Sequence, residues 1–116
     1  MQKKHRLRER SDFRKVFDRG SSFANRYLVV YCMRHMEGQE FRVGFSVSKK
    51  VGNAVVRNRI KRRLKECVRE LAPLVNKDAD FIVIARPSVV TLEFVDLRKN
   101  VRHLLNGVNL LKKRTM

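Results

Sequence analysis

Phe41-Arg42-Val43-Gly44-Phe45-Ser46-Val47-Ser48 alternates apolar with small or polar residues, and after a short turn the stretch from Val56 to Leu71 changes to a helical period. Successive side chains of a strand point to opposite faces, so Phe41, Val43, Phe45 and Val47 line one face while Arg42, Gly44, Ser46 and Ser48 line the other. The first face belongs to a core; the second is small and polar. Lys49 to Asn53 turns the chain, and Gly52 is expected there to take backbone angles that other residues avoid. In the helix that follows, Val56, Ile60, Leu64, Cys67, Val68 and Leu71 fall on one arc of about 120°, which packs it on a sheet.

Upstream, Tyr27 to Met33 is rich in strand formers and is joined to the alternating segment by a polar stretch containing Gly38, so the two are expected to pair as an antiparallel hairpin. Still earlier, Ser11 is expected to cap a helix with Asp12 in its first turn, and Gly20 closes that helix. It carries Phe13, Val16 and Phe17 at helical spacing, a stripe that suits ordinary core packing as well as a binding surface. Residues 1–10 are strongly basic and expected to be loosely held. Downstream, Phe81 to Ala85 reads as a buried strand, with Asp78 and Asp80 in the loop before it. Thr91 is expected to cap a last helix packed through Phe94, Leu97, Val101, Leu104, Leu105 and Val108, with Lys112-Lys113-Arg114 at the negative end of its dipole. No repeat or linker interrupts the order helix, strand, strand, helix, strand, helix. The expected architecture is therefore one domain over residues 1–116, an α+β two-layer sandwich with about three helices on a small mixed sheet.

Composition narrows the partners. Of 116 residues 43% are hydrophobic, enough for one packed core. The 28 Lys and Arg against 11 Asp and Glu give a formal charge of +17, a self-repulsion that a bound polyanion relieves. The longest apolar run, Tyr27 to Met33, is far below the roughly 20 residues of a spanning helix, and no secretory h-region follows the basic start, so no membrane partner and a cytoplasmic location are expected. Cys32 and Cys67 have no second Cys nearby in sequence, and both are expected to be buried reduced thiols.

Between Lys49 and Lys65 stand eight basic residues and no acid: Lys49, Lys50, Arg57, Arg59, Lys61, Arg62, Arg63 and Lys65. A merely solvated helix face usually intersperses both signs; here acids return only at Glu66 and Glu70. Fixed cations on a packed helix match a phosphate backbone. A helix-turn-helix DNA binder would need a helix before the Gly52-Asn53 turn, where the period-two pattern places a strand. Tyr31 with Gly44, Ser46 and Ser48 instead suggests a shallow trough in which unstacked RNA bases lie on an aromatic ring. A general ribosome-associated or RNA-chaperone protein would share the charge and the sandwich without needing that trough. His5, His35 and His103 are scattered, and only Asp78 and Asp80 stand close, so no catalytic residue, metal ligand or small-molecule substrate is expected.

The run Val47-Ser48-Lys49-Lys50-Val51-Gly52-Asn53-Ala54-Val55-Val56-Arg57-Asn58-Arg59-Ile60-Lys61-Arg62-Arg63-Leu64-Lys65-Glu66 closely resembles the signature of the bacterial ribonuclease P proteins, whose core is Arg-Asn-Arg. Asp12-Phe13, Val16-Phe17, Gly20, Ala24-Asn25-Arg26, Arg42-Val43-Gly44 and the Ile82 to Arg86 segment are similar to that family in the same order. Val68 departs from it where many members carry an aromatic residue, a matter of packing. The resemblance implies a left-handed strand-helix-strand crossover around the basic helix, against the usual hand. It further implies a protein subunit of a ribonucleoprotein endonuclease that removes the 5′ leader of precursor tRNA, with Mg2+ held mainly by the catalytic RNA subunit. By carry-over, Lys49, Lys50, Asn53, Arg57, Asn58, Arg59, Lys61, Arg62 and Lys65 bind the ribonuclease P RNA, while Phe13, Phe17 and Tyr31 hold the single-stranded leader.

Overall fold

The computed structural model describes residues 2–35 and 40–112. Among them, helices α1 (Arg10–Arg19), α2 (Ala54–Leu71) and α3 (Phe94–Gly107) enclose strands β1 (Ser21–Ala24), β2 (Leu28–Arg34), β3 (Arg42–Val47) and β4 (Ala79–Ala85). The strand order is β1-β2-β4-β3, antiparallel between β1 and β2 and between β2 and β4, and parallel between β4 and β3. The expected hairpin of β2 with β3 is thus corrected: β4 lies between them. Its run Phe81-Ile82-Val83 is fully buried on both faces, which requires a neighbour on each side. The chain reaches it from β3 through α2, the crossover that parallel neighbours need. Gly38 lies outside the described residues.

One face of the sheet is closed. Val30 stands opposite Val83 and Cys32 opposite Phe81, with Val43 and Val47 beside Phe81 and Ala85. Ile60, Leu64 and Val68 of α2 and Leu97, Val101 and Leu104 of α3 join them in one buried cluster. Val56 packs at its margin, and Val108 falls just past the helix as the C-cap of α3. On the opposite face Tyr31, Ile82 and Gly44 form one row and Val29, Ile84 and Ser46 the next. Helix α1 lies on the first row, where Val16 is buried with Leu7 and Ile82 in a second, smaller core. Gly44 admits Phe13 at close range: a Cβ there would stand 2.4 Å from the ring tip.

A buried ion pair ties these layers together. Asp80, expected in a loop, is the second residue of β4 and is only 2% exposed. The Arg42 guanidinium donates to both its oxygens, at 2.9 and 2.6 Å, and the hydrogen bond to Asp80 is the main cause that holds Arg42 above its ordinary pKa. Arg42 also reaches Asp12 of α1 at 3.4 Å, and His35 Nε2 lies 3.5 Å from Asp80. Asp78 remains outside the strand, paired with Arg34 at 2.7 Å.

Local signals were redistributed by this packing. The N-cap of α1 is Glu9, without a side-chain cap, and Ser11 sits exposed in the first turn. Thr91 ends a 3-10 turn over Pro87–Thr91, donating its hydroxyl to the Ser88 carbonyl, and α3 starts only after Glu93. No described glycine has a positive φ, so Gly52 serves close approach instead, with a Cβ there falling 2.9 Å from Val56. Lys112 is carried away from the end of α3 and its backbone N–H donates to Leu74; Lys113 and Arg114 lie outside the described residues. The basic start, expected to be loose, instead makes fixed contacts. His5 stacks on Phe41 at 3.9 Å and donates Nδ1–H to its carbonyl, while Arg6 bridges β3 at Val43 and Leu7 is buried.

Two predictions follow from burial. Arg42→Ala leaves the Asp80 carboxylate buried without its main partner and should cost about 3 kcal/mol in urea denaturation, the low end for breaking a buried pair because Arg42 itself reaches solvent. Burial pushes the thiols of Cys32 and Cys67 from 9.0 up to about 11, so iodoacetamide at neutral pH should label only unfolded chain. Because the folded values lie above the unfolded ones, the thiols' contribution to stability should be level below about pH 9 and fall as pH rises from 9 toward 11.

Candidate nucleic-acid interface

Helix α2 is fixed at its start by its own sequence. The Asn53 side chain accepts the Val56 N–H at 3.0 Å as N-cap, satisfying one of the free donors of the first turn. Val51 is buried and anchors the preceding turn, leaving Lys49 and Lys50 exposed on it. From there the buried stripe Ile60, Leu64, Cys67, Val68 and Leu71 rotates the basic residues outward. Asn58, Arg59 and Arg62 are exposed, while Arg57, Lys61, Arg63 and Lys65 are half-buried at the margins of the stripe. Arg57 Nε is buried with no partner among the described residues, so its guanidinium keeps an unused donor. The charge run ends where acids return: Glu66 is paired with Arg69, whose hydrogen bond chiefly lowers its pKa, and Glu70 pairs with Arg98 of α3 at 2.8 Å.

The second element is the open part of the α1 face. Phe17 is 40% exposed and meets Tyr31 edge-to-face, with ring centroids 4.9 Å apart. Beyond this pair the row Val29, Ile84 and Ser46 is half-buried, with Ile84 packed against the smaller core, and Ser48 lies exposed past its β3 end. Tyr31 and Ser46 thus lie on one face of the sheet, with Phe17 of α1 against Tyr31. Phe13 shares the face but stands at its β3 end with its ring on Gly44. Val29 and Ile84 were not identified from sequence, because in continuous apolar runs alternation does not reveal which face is open. The register between β2 and β4 is the signal that does.

Cation and aromatic surfaces are separate but adjacent, since β3 ends at Val47 and leads straight into the basic turn. Among the described residues no three His, Cys, Asp or Glu side chains converge to hold a metal ion, and no helix is long and apolar enough to cross a membrane.

Fold and surface together define an α+β protein with a basic helix next to a sheet face that carries an aromatic pair. The family described as Ribonuclease P matches residues 1–109. The chain is 45% identical over 114 residues to the ribonuclease P protein component of Listeria innocua, covering 98% of this chain and 96% of that one. To the corresponding protein of Bacillus velezensis it is 48% identical, covering 97% of each. Among solved structures, the Staphylococcus aureus RNase P protein superposes with a TM-score of 0.87 at 35% identity, over 93% of this chain and 98% of that one. The Thermotoga maritima protein gives 0.81 at 31% identity, over 90% and 97%. The chain belongs to the ribonuclease P protein family.

Asn53 can be tested apart from any ligand. Asn53→Ala should lower stability by about 1 kcal/mol through loss of the cap, and Asn53→Ser, which retains a capping oxygen, should recover most of it in thermal denaturation.

Proposed function

We propose that this chain assists a catalytic RNA in the endonucleolytic removal of the 5′ leader from precursor tRNA, binding that RNA with one surface and the leader with another. The observation that carries this reading is the Phe17–Tyr31 pair on an open sheet face beside a helix whose cations lack acids over its first three turns. In this reading Lys49, Lys50, Asn53, Arg57, Asn58, Arg59, Lys61, Arg62 and Lys65 meet the phosphates of the ribonuclease P RNA, each contact releasing counterions. The leader lies in the trough, with bases against Tyr31 and Phe17 and Phe13 marking its β3 end; stacking of this kind is worth about 1–3 kcal/mol per base.

In this reading hydrolysis and Mg2+ belong to the catalytic RNA, as the family resemblance implies. What the protein adds is differential binding. Only the precursor carries a leader, so trough contacts favour substrate over mature product and lessen the magnesium needed to hold the tRNA. The compartment in this reading is the cytoplasm.

The test is cleavage of a precursor tRNA in low magnesium by a bacterial ribonuclease P RNA with and without this protein, beside protein alone. Activity confined to the combined sample is expected; turnover by protein alone, or no stimulation, overturns the proposal. Arg59→Ala should weaken assembly with the catalytic RNA and lower the salt dependence by about one unit of log–log slope. Phe17→Ala and Tyr31→Ala should weaken leader-bearing tRNA about 5- to 150-fold while leaving mature tRNA unchanged.

A further inference from the structure

A pocket of about 300 Å3 opens at the free edge of β3, between the docked N-terminal segment and α2. Its apolar floor is Leu7, Val43 and the two rings Phe13 and Phe45, which flank Gly44 from opposite sides of the strand. Its walls are cationic on both sides, with Arg6 and Arg8 on one and Lys61 and Lys65, one helical turn apart, on the other. No acid lines it, and Arg8, Lys61 and Lys65 have no acidic partner among the described residues. Arg6 and Arg8 stand there because Leu7 between them is buried and bonds to β3 at 3.0 Å, so the strand-like alternation turns its neighbours outward.

We propose that this pocket takes one unstacked nucleotide of the catalytic RNA, its base on the Phe45 side of the floor and its flanking phosphates on the two cationic walls. An apolar slot ringed by cations from two separate elements suits a base with a phosphate on either side. Its volume lies at the lower end of small-ligand pockets, about 300–1,000 Å3, which suits one base. The occupant is the catalytic RNA because Lys61 and Lys65 continue the basic surface of α2. The inference rests on the reading of that surface given above and adds Arg6, Arg8 and Phe45 to it. The N-terminal segment thereby becomes a wall of the site.

The experiment measures binding of the ribonuclease P RNA alone, without substrate, to Phe45→Leu and Arg8→Ala, and then the preference of each holoenzyme for leader-bearing over mature tRNA. Phe45→Leu keeps apolar volume in the core and removes the ring; circular dichroism and thermal denaturation confirm folding, and Arg8 is exposed, so its removal leaves the fold intact. Expected are a loss of about 5- to 150-fold for Phe45→Leu, a salt slope lower by about one for Arg8→Ala, and an unchanged tRNA preference in both. Unchanged affinity for the catalytic RNA in both folded variants overturns the pocket. A changed tRNA preference with intact RNA binding assigns it to the leader and equally overturns the proposal. Failure of the unsubstituted protein to bind the catalytic RNA would instead sink the reading beneath it.

Discussion

The carboxylate of Asp80 is buried at the start of the central strand, and the fold is arranged so that Arg42 meets it. Such a pair contributes less to net stability than to uniqueness, because an unpaired charge at that depth would be strongly unfavourable. It sets Arg42 beside Asp80 in the parallel register, which places Gly44 beside Ile82 and Ser46 beside Ile84. Through Asp12 it also holds the first turn of α1 over the sheet. The position of α1 then decides what is covered and what stays open: Val16 and Phe13 close the first row, and Phe17 with Tyr31 stands at the edge of the second. A single ion pair thus connects the strand order to the geometry of the proposed leader trough.

Much of this was legible because it is local. The alternation of Phe41 to Ser48 gives β3 and its faces, and the stripe from Ile60 to Leu71 gives α2 with its outward cations. The family resemblance rests on the same stretch. What escaped the sequence was non-local. Nothing between Met33 and Phe41 tells a hairpin from two strands that admit a third, and β4 joins only through pairing with residues about fifty positions away. Ser21–Ala24 lacks apolar alternation because, as an edge strand, it buries only Phe23 in part. Ser11 and Thr91 have capping side chains, yet the helices start where Val16 and Leu97 must reach their cores. The docking of His5 and Leu7 depends on a backbone bridge to Val43, which no composition signal announces.

Charge has the opposite character. A net +17 on 116 residues is fully visible in sequence, but its consequence depends on where the fold fixes it. Cations near acids are spent in pairs, as with Arg34 and Asp78, Arg69 and Glu66, and Arg98 and Glu70. Those on the turn and first three turns of α2, joined by Arg8 across the β3 edge, have no acidic partner among the described residues. The proposed leader trough lies on the other side of that edge, so the two proposed RNA-binding surfaces adjoin and meet at Phe13.

Site-directed crosslinking tests this division most directly. With Cys32 and Cys67 buried and unreactive, a photoreactive group can be attached selectively to Ser46→Cys in the trough or Arg62→Cys on α2. In a holoenzyme bound to precursor tRNA, the account predicts that the probe at position 46 labels the 5′ leader and the probe at position 62 labels the catalytic RNA. Labelling of the same RNA by both positions, or of the mature tRNA body from position 46, would contradict it.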